Sequence, residues 1–330
     1  MPIQTALTQA LGIRVPVVQG GMMWVGLPKL VAAVSNAGGL GILTGLTQPT
    51  PEKLREAIHE TRRLTNKPFG VNLTFLPSIN PPPYQDYATI ILEENVKICE
   101  TAGGPSAVPI IKRLRDSNVF VIHKCVSIKH ALTAIRVGVN MLSIDGFECA
   151  GHPGEDDIGG VVLLARAAQS LNIPFIASGG FANGRGLAGA IALGASGVNM
   201  GTAFMVTEEA EIHQNIKEEM IRADERQTIH IFRSFGNTAR VYKNSVALEV
   251  VKMENRPGGC KFEEIAHLVS GLRGKKVYET GDLHAGIWTC GISVGLLTKI
   301  QTCESFMNEV EKDAEEIIYR MNQMLVKSKL

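Results

Sequence analysis

Residues 174–204 read PFIASGGFANGRGLAGAIALGASGVNMGTAF, and the fold turns on how they are read. A short apolar run, 174–177, ends in Ser178-Gly179-Gly180. A helix of small residues is predicted over 184–193. A second strand, 197–200, then ends in Gly201-Thr202. The segment is two strand–loop–helix starts in a row. Glycine lets the backbone approach a ligand closely, and free N–H groups at a loop or helix start attract an anion. Two such loops on adjacent parallel strands would hold one phosphate between them, as after strands 7 and 8 of a (β/α)8 barrel. The alternative is that the glycines only make tight turns. The recurrence of the pattern one βα unit later favours the phosphate.

The same rhythm runs upstream. Strands are predicted at 15–19, 40–43, 70–73, 96–100, 119–123 and 141–144, mostly apolar on both faces as in a covered parallel sheet. Helical patterns at 27–37, 51–64, 84–94, 108–116, 128–137 and 161–171 fill the intervals. Eight units within about 205 residues fit a closed barrel better than an open sheet. The expected fold is therefore α/β, a (β/α)8 TIM barrel over 1–208. A helical additional domain over 209–284 follows, with helices at 208–227, 238–254 and 263–272. Residues 285–330 return the chain to the barrel mouth and end in an amphipathic helix, 303–326.

The chain has 330 residues, 45% hydrophobic and 20% charged, enough for a sizeable core. Its net charge of +1 gives no electrostatic case for nucleic acid or an acidic membrane surface. The six cysteines form no C-x-x-C pair or familiar metal spacing, and read as reduced thiols of a cytoplasmic protein. No metal is expected. The first residues lack the pattern of a signal peptide, and no apolar run is long enough for a membrane span.

Catalytic groups of such barrels sit where strands end. Those ends carry Gly20-Gly21-Met22, Thr44, Asn72, Glu100, His123-Lys124, Asp145, Ser178-Gly179-Gly180 and Gly201-Thr202. Amides, hydroxyls, glycines and one lysine suit a flat, heteroatom-rich cofactor carrying a phosphate, and flavin mononucleotide (FMN) fits. Its reduced ring carries negative charge that a fixed ammonium would stabilise, and Lys124 is the candidate; the alternative is an ordinary surface lysine. The loop after the sixth strand holds His152 among glycines, placed for proton transfer or hydrogen bonding near neutrality. A lone loop histidine is otherwise structural or merely exposed. Cys149 is a poor nucleophile candidate without a positioned base. Glu155, Asp156 and Asp157 read as acids at a helix start, favoured there by the helix dipole.

Eight segments carry a resemblance to a known family. They are QGGMMWVG (19–26), AGGLGIL (37–43), FGVNLTFLP (69–77), VIHKC (121–125), DGFECAGHPGEDD (145–157), ASGGFANGRG (177–186), NMGTAF (199–204) and GIWTCGISVGL (286–296). The chain resembles the FMN-dependent barrel flavoproteins that include nitronate monooxygenases, NADH:quinone reductases and FMN-dependent enoyl-acyl-carrier-protein reductases. Gly20-Gly21-Met22, the loop Glu148-Cys149-Ala150-Gly151-His152-Pro153, and the proline-bearing loop after Asn72 look like the quinone reductase subgroup. The resemblance implies non-covalent FMN, with NAD(P)H and a quinone, or a nitronate, as small-molecule substrates. A homodimer is compatible with it. It also implies that Ser178, Gly179, Gly180, Gly201 and Thr202 hold the phosphate, and that Gly21, Met22 and Asn72 line the ring or ribityl chain. Lys124 would face the N1–O2 edge. Ala150, Gly151 and His152 would border the reactive side, with His152 the catalytic candidate. Pro77 would gate nicotinamide access, and Trp288 and Gly291 would close the pocket. A non-catalytic flavin-binding protein and a phosphosugar-binding barrel are readings from other classes.

Overall fold

The computed structural model describes residues 3–75 and 81–325. Eight parallel strands pair in chain order and close into a barrel. They are β1 (Val17–Gln19), β2 (Leu40–Thr44), β3 (Phe69–Phe75), β4 (Ile98–Gly103), β5 (Phe120–Cys125), β6 (Met141–Asp145), β7 (Phe175–Ser178) and β8 (Val198–Met200). β8 returns to β1 with Val18 opposite Asn199. Each lies where the sequence predicts a strand, with ends shifted by a few residues.

Helices α1 (Ala6–Leu11), α2 (Pro28–Asn36), α3 (Pro51–Leu64), α4 (Tyr84–Glu93), α5 (Val108–Asp116), α6 (Ile128–Val137), α7 (Gly160–Ser170) and α8 (Gly184–Ala192) accompany the strands. Their starts are locally encoded. Thr50, Ser127 and Asn183 cap α3, α6 and α8 by accepting a first-turn N–H, and Pro51 opens α3 where its missing N–H is harmless. The main core lies between strands and helices.

A second core fills the barrel floor. Leu7 and Leu11 of α1 plug the amino end against Val18, Ile42, Ile98, Ile122, Met141 and Ile176. Side chains alternate faces along a strand. The residues two positions on, Glu100, Lys124, Ser143 and Ser178, therefore share the interior above that floor. One step up each strand changes the lining from apolar to polar, and this sets the site at the carboxyl end.

After α9 (Thr202–Met205) and α10 (Gln214–Arg222) the addition departs from the all-helical expectation. Residues 228–242 form an antiparallel hairpin, β9 (Thr228–Ile231) and β10 (Ala239–Tyr242), with Ala239 opposite Ile231. TIHI and ARVY are short alternating segments, too short to separate from helix by periodicity. Then follow α11 (Ser245–Glu254), α12 (Phe262–Ile265), α13 (Gly271–Thr280) and the long α14 (Cys303–Gln323). The hairpin and α11 bury their own small core, including Ile231, Val241, Ala247 and Val250. No helix among the described residues is long and apolar enough to cross a membrane.

Candidate active site

At the carboxyl ends of the strands lies a cavity of about 450 Å³. Of the predicted residues it brings together Gly21, Met22, Lys124, Ala150, Gly151, His152, Ser178, Gly179, Gly180, Gly201, Thr202 and Gly291. Asn72 and Trp288 are not in its lining. Asn72 sits one layer below, its amide donated to Glu100 at 2.8 Å. Trp288 is 2% exposed and stacks on Tyr242 with centroids 4.2 Å apart, while its neighbour Thr289 reaches the cavity. Pro77 lies outside the described residues.

Glu100 organises the cavity floor. Its Oε2 accepts from the Gly21 N–H and Asn72 Nδ2, each at 2.8 Å, and its Oε1 from Asn199 Nδ2 at 2.9 Å. A fully buried carboxylate is tolerable only when satisfied in this way. Sequence reasoning placed Glu100 at a strand end but gave it no role. The signal was a lone acid two positions after Ile98 on a buried strand.

Lys124 rises beside this floor into the cavity and makes no hydrogen bond or ion pair among the described residues. Burial alone would lower its pKa, but Glu100 and then Asp145 outweigh that and hold the ammonium above the ordinary lysine value. Burial raises the Asp145 pKa above the usual carboxylate value, with Lys124 opposing. Lys124 thus lines the cavity and is not an ordinary surface lysine.

The same cavity is lined by a glycine cradle. Gly179 and Gly180 have φ of 85° and 87°, a left-handed conformation that favours glycine. A Cβ on Gly179 would meet Cys149 at 2.8 Å. Neither N–H of this pair has an acceptor among the described residues. At the end of the adjacent strand β8, Gly201 and Thr202 begin α9, and the Thr202 hydroxyl accepts the Gly291 N–H at 3.0 Å. That bond anchors the returning chain to the cradle.

The histidine loop is held from both sides. Gly151 and Arg240 exchange backbone hydrogen bonds of 3.1 and 2.6 Å, so β10 continues onto the loop. Tyr242 N–H donates to the Trp288 carbonyl at 2.9 Å, joining the same strand to the return segment. Arg240 also donates to the Phe147 carbonyl at 2.9 Å and lies over that ring. The acids expected at the start of α7 do otherwise. Glu155 accepts from Thr238, and Asp157 pairs with Arg233 at 2.7 Å. Glu148 caps α7 instead, both oxygens accepting from Gly160 N–H at 3.1 and 2.9 Å. The reason is geometric: the addition offers partners to the later acids before the helix begins.

His152 sits exposed at the mouth. The protein around its ring lowers its pKa from the usual imidazole value, with Glu155 opposing, so it is neutral near pH 7. Cys149 is buried and its thiol pKa is pushed up, chiefly by burial and then by Asp145, which leaves it protonated.

A barrel with this glycine-lined, lysine-bearing cavity at its carboxyl face defines the class. A family model described as nitronate monooxygenase matches residues 4–313, and the chain belongs to that family. Its relatives are oxidoreductases. It is 32% identical to a Rhodococcus jostii protein named (3aS,4S,5R,7aS)-5-hydroxy-7a-methyl-1-oxo-octahydro-1H-indene-4-carboxyl-CoA dehydrogenase, over 94% of this chain and 96% of that one. It is 30% identical to a probable nitronate monooxygenase of Staphylococcus aureus, over 75% of this chain and 81% of that one. Among solved structures it is similar to FabK from Thermotoga maritima, with a TM-score of 0.90, 33% identity, and 98% of this chain and 100% of that one covered. The likeness to nitroalkane oxidase from Streptomyces ansochromogenes, at TM-score 0.81 and 23% identity over 96% of this chain and all of that one, concerns the fold.

Proposed function

We propose that this chain is an FMN-dependent oxidoreductase that takes hydride from NAD(P)H and reduces a quinone. The carrying observation is Lys124: a protonated ammonium, unpaired among the described residues, in the lining of a cavity that also holds a glycine cradle with free N–H groups. The cavity volume lies within the range of small-molecule sites. The residues present therefore suit a flavin phosphate between Ser178–Gly180 and Gly201-Thr202, with Lys124 beside the ring edge that gains charge. Bound there, the flavin would supply two-electron hydride chemistry. NAD(P)H, a proton and a quinone would give NAD(P)+ and a quinol.

The chain's own groups support a hydride donor. The carboxylates that border the cavity are engaged: Glu148 on α7, Glu155 on Thr238, and Asp145 by the Ser143 hydroxyl. His152 is the neutral group at the mouth that could orient a substrate or accept a proton. Direct hydride transfer needs no protein base, and the two substrates would use one pocket in turn.

Two observations favour other substrates of the same site. Family membership favours a nitronate oxidised with O2, with His152 as base or hydrogen-bond partner. The near-full-length match to a CoA-thioester dehydrogenase, which leaves too little of the chain unmatched to omit the addition, favours an acyl-CoA. A colourless pure protein would favour a phosphosugar instead, and a yellow protein without turnover a flavin carrier.

The test is anaerobic mixing of the purified protein with NADH, NADPH, an alkyl nitronate and an acyl-CoA, following flavin absorbance, with heat release and mass identification of the cofactor. Fast bleaching by NADH or NADPH supports the proposal. Bleaching by nitronate or acyl-CoA alone transfers it to that substrate, and FAD or no flavin overturns it.

A further inference from the structure

The outward face of β5, opposite to Lys124, carries a second constellation. His123 and Cys125 are two apart on that strand and so share a face. His130 projects from the first turn of α6 toward them. The ligating atoms of all three lie within 4.8 Å of one another. His123 Nε2 and His130 Nε2 are 3.2 Å apart, with the rings nearly perpendicular. His123 and Cys125 are buried, at 3% and 0% exposure, while His130 borders the cavity. None of the three has a part in the oxidoreductase reading.

We propose that His123, Cys125 and His130 form a binding site for a divalent metal of the zinc class, set in the wall of the cavity. Two imidazole nitrogens bound tetrahedrally to one zinc lie about 3.3 Å apart. The observed separation therefore already has the spacing of a ligand pair. The thiol sulfur must draw in by about an ångström to complete a three-ligand set. Imidazole and thiolate select zinc over magnesium or calcium. The orientation of His123 is fixed as metal-bound histidines are: its Nδ1 meets Thr101 Oγ1 at 2.8 Å, which turns its Nε2 to His130 Nε2, and the ion would replace the hydrogen bond between them. His130 borders the cavity, so a water or substrate atom from it would take the fourth position. Binding releases one proton, from the Cys125 thiol. The imidazole that carries its proton on Nε2 moves it to Nδ1. The spacing H-x-C-x4-H matches no familiar zinc motif, so the site is not legible from residue spacing alone.

The experiment uses the full-length holoprotein after chelator treatment and dialysis, with Zn2+ followed calorimetrically and Co2+ as a spectroscopic substitute. The expected result is one Zn2+ per chain, and with Co2+ the red absorption of a four-coordinate ion beyond the flavin bands. Cys125→Ser and His130→Asn should each weaken Zn2+ binding at least about tenfold, and Thr101→Val roughly 10–100-fold. His59→Asn, a surface histidine paired with Glu94, should leave binding unchanged. Wild-type protein that gives no four-coordinate Co2+ spectrum overturns the proposal, as do folded Cys125→Ser and His130→Asn variants that bind Zn2+ like wild type. Where a variant fails to fold, the wild-type Co2+ spectrum decides alone.

Discussion

Glu100 and Asn72, on neighbouring strands β4 and β3, meet at 2.8 Å beneath the cavity, and the same carboxylate oxygen also accepts the Gly21 N–H. One acid thus fixes the loop after β1, the amide below it and, through its other oxygen, Asn199. It also holds the Lys124 charge in place. Glu100→Gln presents a donor where one of three donors now finds an acceptor. It should lower stability by about 1–3 kcal/mol. Urea unfolding of flavin-free protein measures this, and an unchanged midpoint would show that the carboxylate is dispensable to the floor.

His230 makes the addition acid-sensitive. Arg233 Nη2 donates to its Nδ1 at 2.9 Å, and the ring meets Phe147 edge-on at 4.9 Å. Its pKa falls to about 4, through burial, then Arg240 and Arg233, with Asp157 and Glu155 opposing. The unfolded chain binds a proton there near pH 6.5 while the folded one does not. Stability is therefore intact at neutral pH and declines as pH falls from about 6.5 toward about 4. His230→Gln, which keeps an acceptor for Arg233 but does not titrate, should flatten that limb in a plot of urea midpoint against pH. Parallel curves for the two proteins would place the acid sensitivity elsewhere.

Lys124→Met removes the ammonium that faces the cavity. One charge-assisted hydrogen bond is worth roughly 1.5–3 kcal/mol. For a two-electron couple that is about 30–65 mV. The flavin potential of the variant, measured by dye equilibration, should fall by that amount. An unchanged potential in a variant that retains flavin would show that the lysine does not touch the ring.

The barrel was legible because its strands are short, apolar on both faces and regularly spaced by amphipathic helices. The cradle was legible because Gly179-Gly180 and Gly201-Thr202 follow two of those strands directly. The hairpin at 228–242 was not, since four-residue strands leave no period to read. The charge network was only half visible. Lys124 and Glu100 stand at strand ends in the sequence, but only closure of the sheet aims both inward and brings Asn199 across from β8. The bond between Gly151 and Arg240 is a backbone contact between residues 89 positions apart, and no side-chain pattern announces it.

His152 separates the candidate substrates. Hydride transfer from NAD(P)H requires no base, because the nicotinamide gives up the hydrogen with its electron pair. A neutral nitroalkane must first lose a carbon-bound proton, and a general base contributes about 10²–10⁴-fold to such a step. The His152 ring stands at the cavity mouth, neutral near pH 7 and so able to accept a proton. Its backbone neighbour Gly151 is pinned by Arg240, so His152→Ala should leave the loop in place. With NAD(P)H the variant should keep its flavin reduction rate within roughly tenfold of wild type, a loss of about 1.4 kcal/mol at most. With neutral nitroalkane the rate should collapse by the general-base factor, while preformed nitronate, already deprotonated, should suffer less. Rapid mixing of wild type and variant with each donor reads all three rates. Wild-type protein reduced quickly by nitronate and slowly by NAD(P)H would overturn the quinone reductase reading, whatever the variant does.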